Sequence, residues 1–508
     1  MLKLLPPEQK IEVAVQPFAL SDTTLARADA AIVLLEKSSR PRNALQTLPQ
    51  APLWQKLLRA RQHDAQDAPM LCSRLANRSQ TLVAIGFIKP GASGFERLEF
   101  AGKLAREVLQ PGVQRLHVHA GDFTRGEERG AALEATLSAV LAHAAPMPEQ
   151  KTKATPPAAL AHIRIDDRKS AAYDRSIATA AGNHLARWLA TLPPNVLDSI
   201  AYRKVLQQLA RREGWSFKFH SVDQLERMGA GAFAAVARSN PHRGAGIVRL
   251  SYSPSRTRKG AKPIALVGKG ICFDTGGINL KPHRSMYSMH GDMQGSAVAV
   301  GTLLALARLG TPCAIDCWLA LTENQIGPEA YRPQDVVRAL NGTTIQVVHS
   351  DAEGRMVLAD TLTLASRALP RLVLDFATLT GACVAALTDR YAGAFTNRAD
   401  LHGWLQDTGR ASGERVWCFP MDEDFDAELE SSAADIMQCT LDNKGDHILA
   451  ARFLGKFVEA GVPWVHVDLA TSERKGGLAH IPTEMTGFGV RYAVHLLSDT
   501  ASLDERLG

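Results

Sequence analysis

Apolar residues fall into short runs broken by polar and glycine-rich stretches. Such runs predict strands at Ala30–Leu35, Thr81–Ile88 and Arg115–Ala120, and helical spacing after a Gly/Ser turn predicts a helix over Gly94–Leu109. Ala132–His143, rich in Ala and Leu, reads as a further helix, after which the proline-interrupted stretch 145–159 breaks all periodicity. This gives an N-terminal α/β domain over 1–144 and a linker over 145–166. From Ser170–Leu192, a helix stopped by Pro193 and Pro194, strands and helices alternate. Strands are expected at 245–252, 263–267, 313–321, 344–348, 371–376 and 464–469, and helices at 294–309, 333–340, 357–368 and 447–460. Alternation of this kind predicts a larger α/β domain over 167–508 with a mostly parallel, mixed sheet flanked by helices, whose sites collect at the carboxyl ends of strands.

The length of 508 residues exceeds what one core usually supports, in agreement with two domains, and 45% apolar with 22% charged residues is an ordinary globular composition. No run reaches the length of a membrane span, and prolines break the N-terminus before a signal core could form, so the expected location is cytoplasmic and no membrane partner is expected. Seven cysteines form no regular framework, and the Cys313/Cys317 spacing lacks a second ligand pair for zinc. Charge is uneven. Residues 1–165 carry 21 basic against 15 acidic side chains, whereas 166–508 carry 37 of each. A one-sided basic excess is the footprint of polyanion binding, although a solvated surface has the same composition.

The chemistry concentrates in two stretches. Residues 347–360 read V-V-H-S-D-A-E-G-R-M-V-L-A-D; in an extended chain Asp351, Glu353 and Arg355 leave one face, and Gly354 removes a side chain where something approaches closely. Residues 266–297 carry L-V-G-K-G-I-C-F-D-T-G-G-I-N-L-K-P followed by M-H-G-D-M-Q-G-S-A, with Lys269, Asp274, Lys281 and Asp292 spaced through them. Four carboxylates, two lysines and an arginine after apolar strands suit a pair of divalent cations. Each residue alone has a plainer reading: a strand-end lysine pointing to water for Lys269, a surface lysine before Pro282 for Lys281, a structural ion pair for Arg355.

These stretches, with T-L-P-P-N-V-L at 191–197, E-N at 323–324, Y-R-P-Q-D-V at 331–336, A-T-L-T-G-A at 377–382 and T-G-F-G-V-R at 486–491, resemble the leucyl (cytosol) aminopeptidases, a family of two-metal peptidases. The resemblance covers roughly 167–497 and is loose before that. It implies a metal-dependent aminopeptidase that releases N-terminal residues, leucine or other apolar ones, by attack of a metal-bridging hydroxide. By the same resemblance Lys269, Asp274, Asp292 and Glu353 would hold the tighter of two Mn²⁺ or Zn²⁺ ions, and Asp274, Asp351 and Glu353 the more exchangeable one. Lys281 would stabilise the oxyanion, and Arg355 would hold a bicarbonate acting as base. Met289, Thr378, Gly381 and Met485 match positions lining the family's pocket for the first side chain, though methionine and alanine at helical spacing are more often core.

The resemblance also implies a homohexamer. Six basic N-terminal domains outside would carry DNA by counterion release, so a DNA-binding regulator on the same fold, its peptidase activity secondary, is the alternative. Three departures from the family's usual patterns mark this chain: His349-Ser350 before the D-A-E-G-R stretch, Met293-Gln294-Gly295-Ser296-Ala297 after the third acid, and N-K-G-D-H at 443–447, where small glycine-rich residues are usual. His349 and His290 are expected to make hydrogen bonds behind the metal ligands.

Overall fold

The computed structural model describes residues 3–38, 41–60, 70–121, 123–153, 158–255 and 262–507. The chain divides into two compact units, one of residues 7–180 and 476–483, the other of residues 1–6, 181–475 and 484–508. The division at Ala180/Ala181 falls inside the helix Ala171–Thr191.

The first unit holds strands β1 (Glu12–Val15), β2 (Ala30–Glu36), β3 (Met70–Arg74), β4 (Leu82–Ile88), β5 (Arg115–Gly121) and β6 (His162–Ile165) in the sheet order β1-β6-β5-β2-β4-β3. All pairs are parallel except β3 with β4. Buried on both faces, β2 and β4 are continuous apolar runs, as parallel strands require. The helix Gly94–Val108 starts where Ser93 accepts the Glu96 N–H at 3.2 Å and its own N–H donates to Glu96 Oε2 at 2.7 Å, a reciprocal cap. Within the segment read as a linker, 154–157 lie outside the described residues, and 162–165 form β6, paired in parallel with β1 and β5. Alternation in H-I-R-I is too short to stand out against the broken stretch before it.

The second unit is built on eight strands: β7 (Ser216–Ser221), β8 (Gly246–Tyr252), β9 (Ile264–Asp274), β10 (Ile315–Asn324), β13 (Leu372–Ala377), β14 (Ala392–Thr396), β15 (Val416–Cys418) and β17 (Trp464–Asp468). Their order is β15-β14-β17-β13-β9-β10-β8-β7, with a parallel centre (β17, β13, β9, β10) flanked by the antiparallel pairs β14/β17, β10/β8 and β8/β7, while β14 and the edge strand β15 are parallel. The remaining strands, β11 (Val336–Arg338), β12 (Thr344–Gln346) and β16 (Ile436–Met437), form a separate small sheet. The helix expected at 333–340 is therefore absent: Val336–Arg338 pairs antiparallel with β12. The two β-branched valines, Val336 and Val337, prefer the pleat.

Helices cover the central strands. A side chain on Gly268 of β9 would meet Ser296 Cα at 2.5 Å, so the glycine lets the helix Gln294–Arg308 lie against one face of the strand. Lys269, next in line, points to the other face. There it reaches the helix Glu353–Ser366, whose residues Met356–Leu362 are almost entirely buried. None of the seven cysteines forms a disulfide, and among the described residues no helix is long and apolar enough to cross a membrane.

Candidate metal centre

The parallel strands β9, β13 and β17 end at one cavity of about 880 Å³, lined by Lys269, Asp274, Lys281, Asp292, Asp351, Glu353 and Arg355 among others. This is where parallel α/β sheets place their sites. β9 contributes Lys269 and, at its last position, Asp274. After Asp274 the chain turns through Gly276 at φ 86°, where a side chain would lie 2.5 Å from Asn279 O and 3.0 Å from Asp351 Oδ1. That turn, closed by the Lys281 N–H on Thr275 O at 2.9 Å, carries Lys281 back over the acids.

Asp292 follows the short turn Met289–Gly291, just ahead of the helix Gln294–Arg308, so it is not the strand-end acid the alternation suggested. Nor are Asp351, Glu353 and Arg355 on an extended segment. The helix Glu353–Ser366 begins at Glu353 and places Glu353 and Arg355 in its first turn, where the helix dipole favours an acid. What Gly354 leaves room for is Lys269: a Cβ there would stand 2.7 Å from its Cε and 2.8 Å from its Nζ.

Each lysine bridges two acids. Lys269 Nζ lies 2.8 Å from Asp292 and 3.0 Å from Glu353, and Lys281 Nζ 2.9 Å from Asp274 and 2.7 Å from Asp351. Burial, and then repulsion from Asp274, pushes the carboxyls of Asp351 and Glu353 up to about 7, while burial pushes Asp292 up to about 6 against the pull of Lys269. Both lysines stay well above their usual range, the surrounding carboxylates outweighing burial. For Lys269 to coordinate as a neutral amine, a dication must displace its proton.

The residues fit a cation site on two observations. Asp274, Asp351 and Glu353 bring ligand oxygens within 4.8 Å of one another, and the buried oxygens Asp292 Oδ2 and Glu353 Oε2 find no hydrogen-bond partner among the described residues. Buried carboxylate oxygens left unpaired are costly unless a cation takes them up.

Around these acids stands a set of orienting groups that the motifs gave only in part. Asn324, at the end of β10, donates to Asp274 Oδ1 at 2.8 Å and to Ser350 O at 3.0 Å, while the Thr378 hydroxyl donates to Asp292 Oδ1 at 2.6 Å. Thr378 O accepts from Lys269 at 2.8 Å. Ser350, one of the departures, is fully buried and donates to Gly276 O at 2.7 Å, tying the two motif stretches together. His349 lines the cavity and its Nδ1 accepts the Asp351 N–H at 3.2 Å; His290, in the turn before Asp292, is not on the lining.

Met289, Thr378 and Gly381 line the cavity; Met485 is buried near Gly291, outside the lining. Arg355 is 2% exposed and its Nη2 donates to both oxygens of Asp446, at 2.9 and 2.8 Å, with Nη1 on Gln438 O at 3.1 Å. A carboxylate of this chain thus stands on the guanidinium to which the resemblance assigned a bicarbonate. Asp446 was missed as a site residue; its only sequence signal was the N-K-G-D-H departure.

Comparison with known proteins gives the family. Residues 184–494 match the cytosol aminopeptidase family, catalytic domain. A probable cytosol aminopeptidase of Afipia carboxidovorans is 39% identical over 329 residues, 64% of this chain and 65% of that protein. One from Rhodopseudomonas palustris (strain BisA53) is 35% identical over 430 residues, 83% of this chain and 85% of the relative. The matches to the first of these relatives span just under two thirds of their length. Among solved structures, the bottromycin maturation enzyme BotP in complex with Mn superposes with a TM-score of 0.79 at 30% identity, covering 93% of this chain and 100% of that one. A mutant of tomato leucine aminopeptidase gives 0.84 at 24% identity over 97% and 98%, a likeness of fold. With the matched region holding every residue of the centre, the chain belongs to the cytosol aminopeptidase family.

Proposed function

We propose that the chain is a dinuclear metallo-aminopeptidase that removes apolar N-terminal residues, leucine among them, from peptides. The observation that carries the reading is the pair of buried, unpartnered oxygens of Asp292 and Glu353 in a cluster of four acids at the cavity. Lys269, Asp274, Asp292 and Glu353 would hold one Mn²⁺ or Zn²⁺ ion and Asp274, Asp351 and Glu353 a second. When bound, such ions polarise the scissile carbonyl and make hydroxide available from water near neutral pH. The Mn in the complex of BotP, a protein of the same fold, supports a metal-dependent reading.

The remaining steps belong to the chain's own residues. Asp292 and its neighbours accept the peptide's free amino group, which confines cleavage to the first bond. Lys281, the more exposed of the two lysines, faces the cavity with its ammonium intact and would stabilise the oxyanion that forms as water adds to the carbonyl. Met289, Thr378 and Gly381 border the space for the first side chain, and the thioether of Met289 adapts to apolar shapes. Arg355, its guanidinium on the Asp446 carboxylate, borders the same cavity. The homohexamer implied by the resemblance belongs to the same proposal, and light scattering of the purified chain tests it.

The regulator alternative is set aside. Arg115, Arg125 and Arg129, part of the basic excess behind it, pair with Asp29, Glu128, and Asp166 with Asp167. The test of the main reading is hydrolysis of leucyl and other aminoacyl anilides by protein loaded with Mn²⁺ or Zn²⁺, beside the N-acetylated leucyl anilide. Release from the free-amine substrates alone is expected. Equal turnover of the acetylated substrate, or no turnover of any, contradicts the proposal.

A further inference from the structure

We infer that Asp446 is a built-in catalytic base: its carboxylate, clamped by Arg355, moves the proton from water to the leaving amine, with no added anion. The inference rests on the peptidase reading. Four observations lead to it. The reaction needs a group that accepts a proton and gives it back, and the four carboxylates beside Lys269 and Lys281 are spent on cations. His349 lines the same cavity, but its Nδ1 accepts the Asp351 N–H, so in the neutral ring Nε2 bears the hydrogen and no lone pair remains. Asp446 also lines the cavity and keeps 13% of its side chain exposed, while Arg355 behind it is 2% exposed. Finally, both Asp446 oxygens bond to the single nitrogen Nη2, which leaves each a lone pair to use on the cavity side.

The fixed geometry has a local cause. Gly445, at φ 62°, opens the helix Asp446–Gly455, and this places Asp446 in the first turn, where an acid is favoured. Arg355 is held in turn by Gln438 O, so the fork cannot swing away. In the reaction water loses a proton to an Asp446 oxygen as its own oxygen bonds to the scissile carbon and the carbonyl π pair moves onto oxygen. The adduct then collapses, the C–N bond breaks, and the Asp446 proton passes to the amine nitrogen. Carboxylate is regenerated and one water is consumed.

The test uses metal-loaded protein in buffer stripped of carbon dioxide, with a leucyl anilide substrate, and titration calorimetry with bicarbonate. Wild type is expected to turn over at the same rate with and without bicarbonate and to bind none. Asp446→Gly should lower kcat by about 10²- to 10⁴-fold, the range of one acid–base group, with metal content unchanged, and added bicarbonate should bind and restore part of the rate. Asp446→Asn should lose as much without rescue, since the amide fills the place and cannot accept the proton. The asparagine variant keeps the test open if the glycine variant fails to fold. Bicarbonate stimulation of wild type, a rate within a few-fold of wild type for Asp446→Asn, or loss of metal along with rate in either variant overturns the inference. An inactive wild type would instead overturn the peptidase reading itself.

Discussion

Charged side chains gather near the ends of parallel strands in both units, and among the described residues the two clusters differ in how fully acids and cations are matched. After β6, Asp166 accepts the Phe18 N–H at 2.8 Å and stands 2.6 Å from His119 Nδ1, while Arg129 reaches Asp166 and, at 2.8 Å, Asp167. The Tyr173 hydroxyl donates to Asp167 at 2.6 Å. Acids and cations there complete one another. Around Lys269 and Lys281 acids outnumber cations: four carboxylates share two ammonium groups, two buried oxygens go unpartnered among the described residues, and three carboxyls are pushed up to between about 6 and about 7. Position at a strand end therefore does not make an acid functional. The uncompensated electrostatic cost does, because it is what a metal ion relieves.

The sharpest break in the comparison is to remove one unpartnered oxygen. Glu353→Gln should abolish both metal uptake, read by elemental analysis after dialysis, and peptide hydrolysis, since Glu353 would ligate both ions. Retention of two ions with near-normal turnover removes the assignment. Next in size, Lys281→Ala should keep the metal and lower kcat by roughly 10²- to 10³-fold, the cost of one oxyanion donor. A rise in KM with kcat unchanged would make Lys281 a binding residue.

On the compensated side the effects should appear in stability alone. Asp166→Asn, which weakens a hydrogen-bonded charge network, should cost about 1–3 kcal/mol in chemical denaturation and leave kcat/KM of the loaded protein unchanged. A large loss of activity at unchanged stability would show that the N-terminal cluster is not merely structural. A pH-dependent effect concerns His117, whose pKa is lowered to about 4 by burial and then by Arg164, Arg115 and Arg27. The unfolded ring, at its ordinary 6.5, binds the proton first, so stability is complete above that value and is lost as pH falls from 6.5 toward 4. His117→Gln should flatten that part of the profile of denaturation midpoint against pH; parallel profiles for variant and wild type would contradict the assignment.

Much of the architecture was legible because the central strands are continuous apolar runs. Ile264–Val267 announces β9 and Ala30–Leu35 announces β2 with no help from context. The acids and lysines stood out because charge directly after such runs has no cheap structural reason. Less legible was the conformation carrying them. D-A-E-G-R alternates well enough to pass for extended chain, and only the burial of Met356 to Leu362 against β9 and its neighbours makes Glu353 the start of a helix. Val336–Arg338 is the converse, a strand created by its pairing with Thr344–Gln346. Asp446 was least legible of all: it lies 91 positions from Arg355, and nothing local in N-K-G-D-H says which cation it meets.

The central claim is that uncompensated acids make this a two-ion peptidase centre, and one titration tests it directly. Metal-stripped protein is titrated with Mn²⁺ while bound ions per chain and hydrolysis of a leucyl peptide are followed in the same samples. The account predicts two ions per chain, with no turnover in the stripped protein and turnover rising as the pair fills. Hydrolysis that persists after exhaustive chelation, or two bound ions without any hydrolysis, would contradict it.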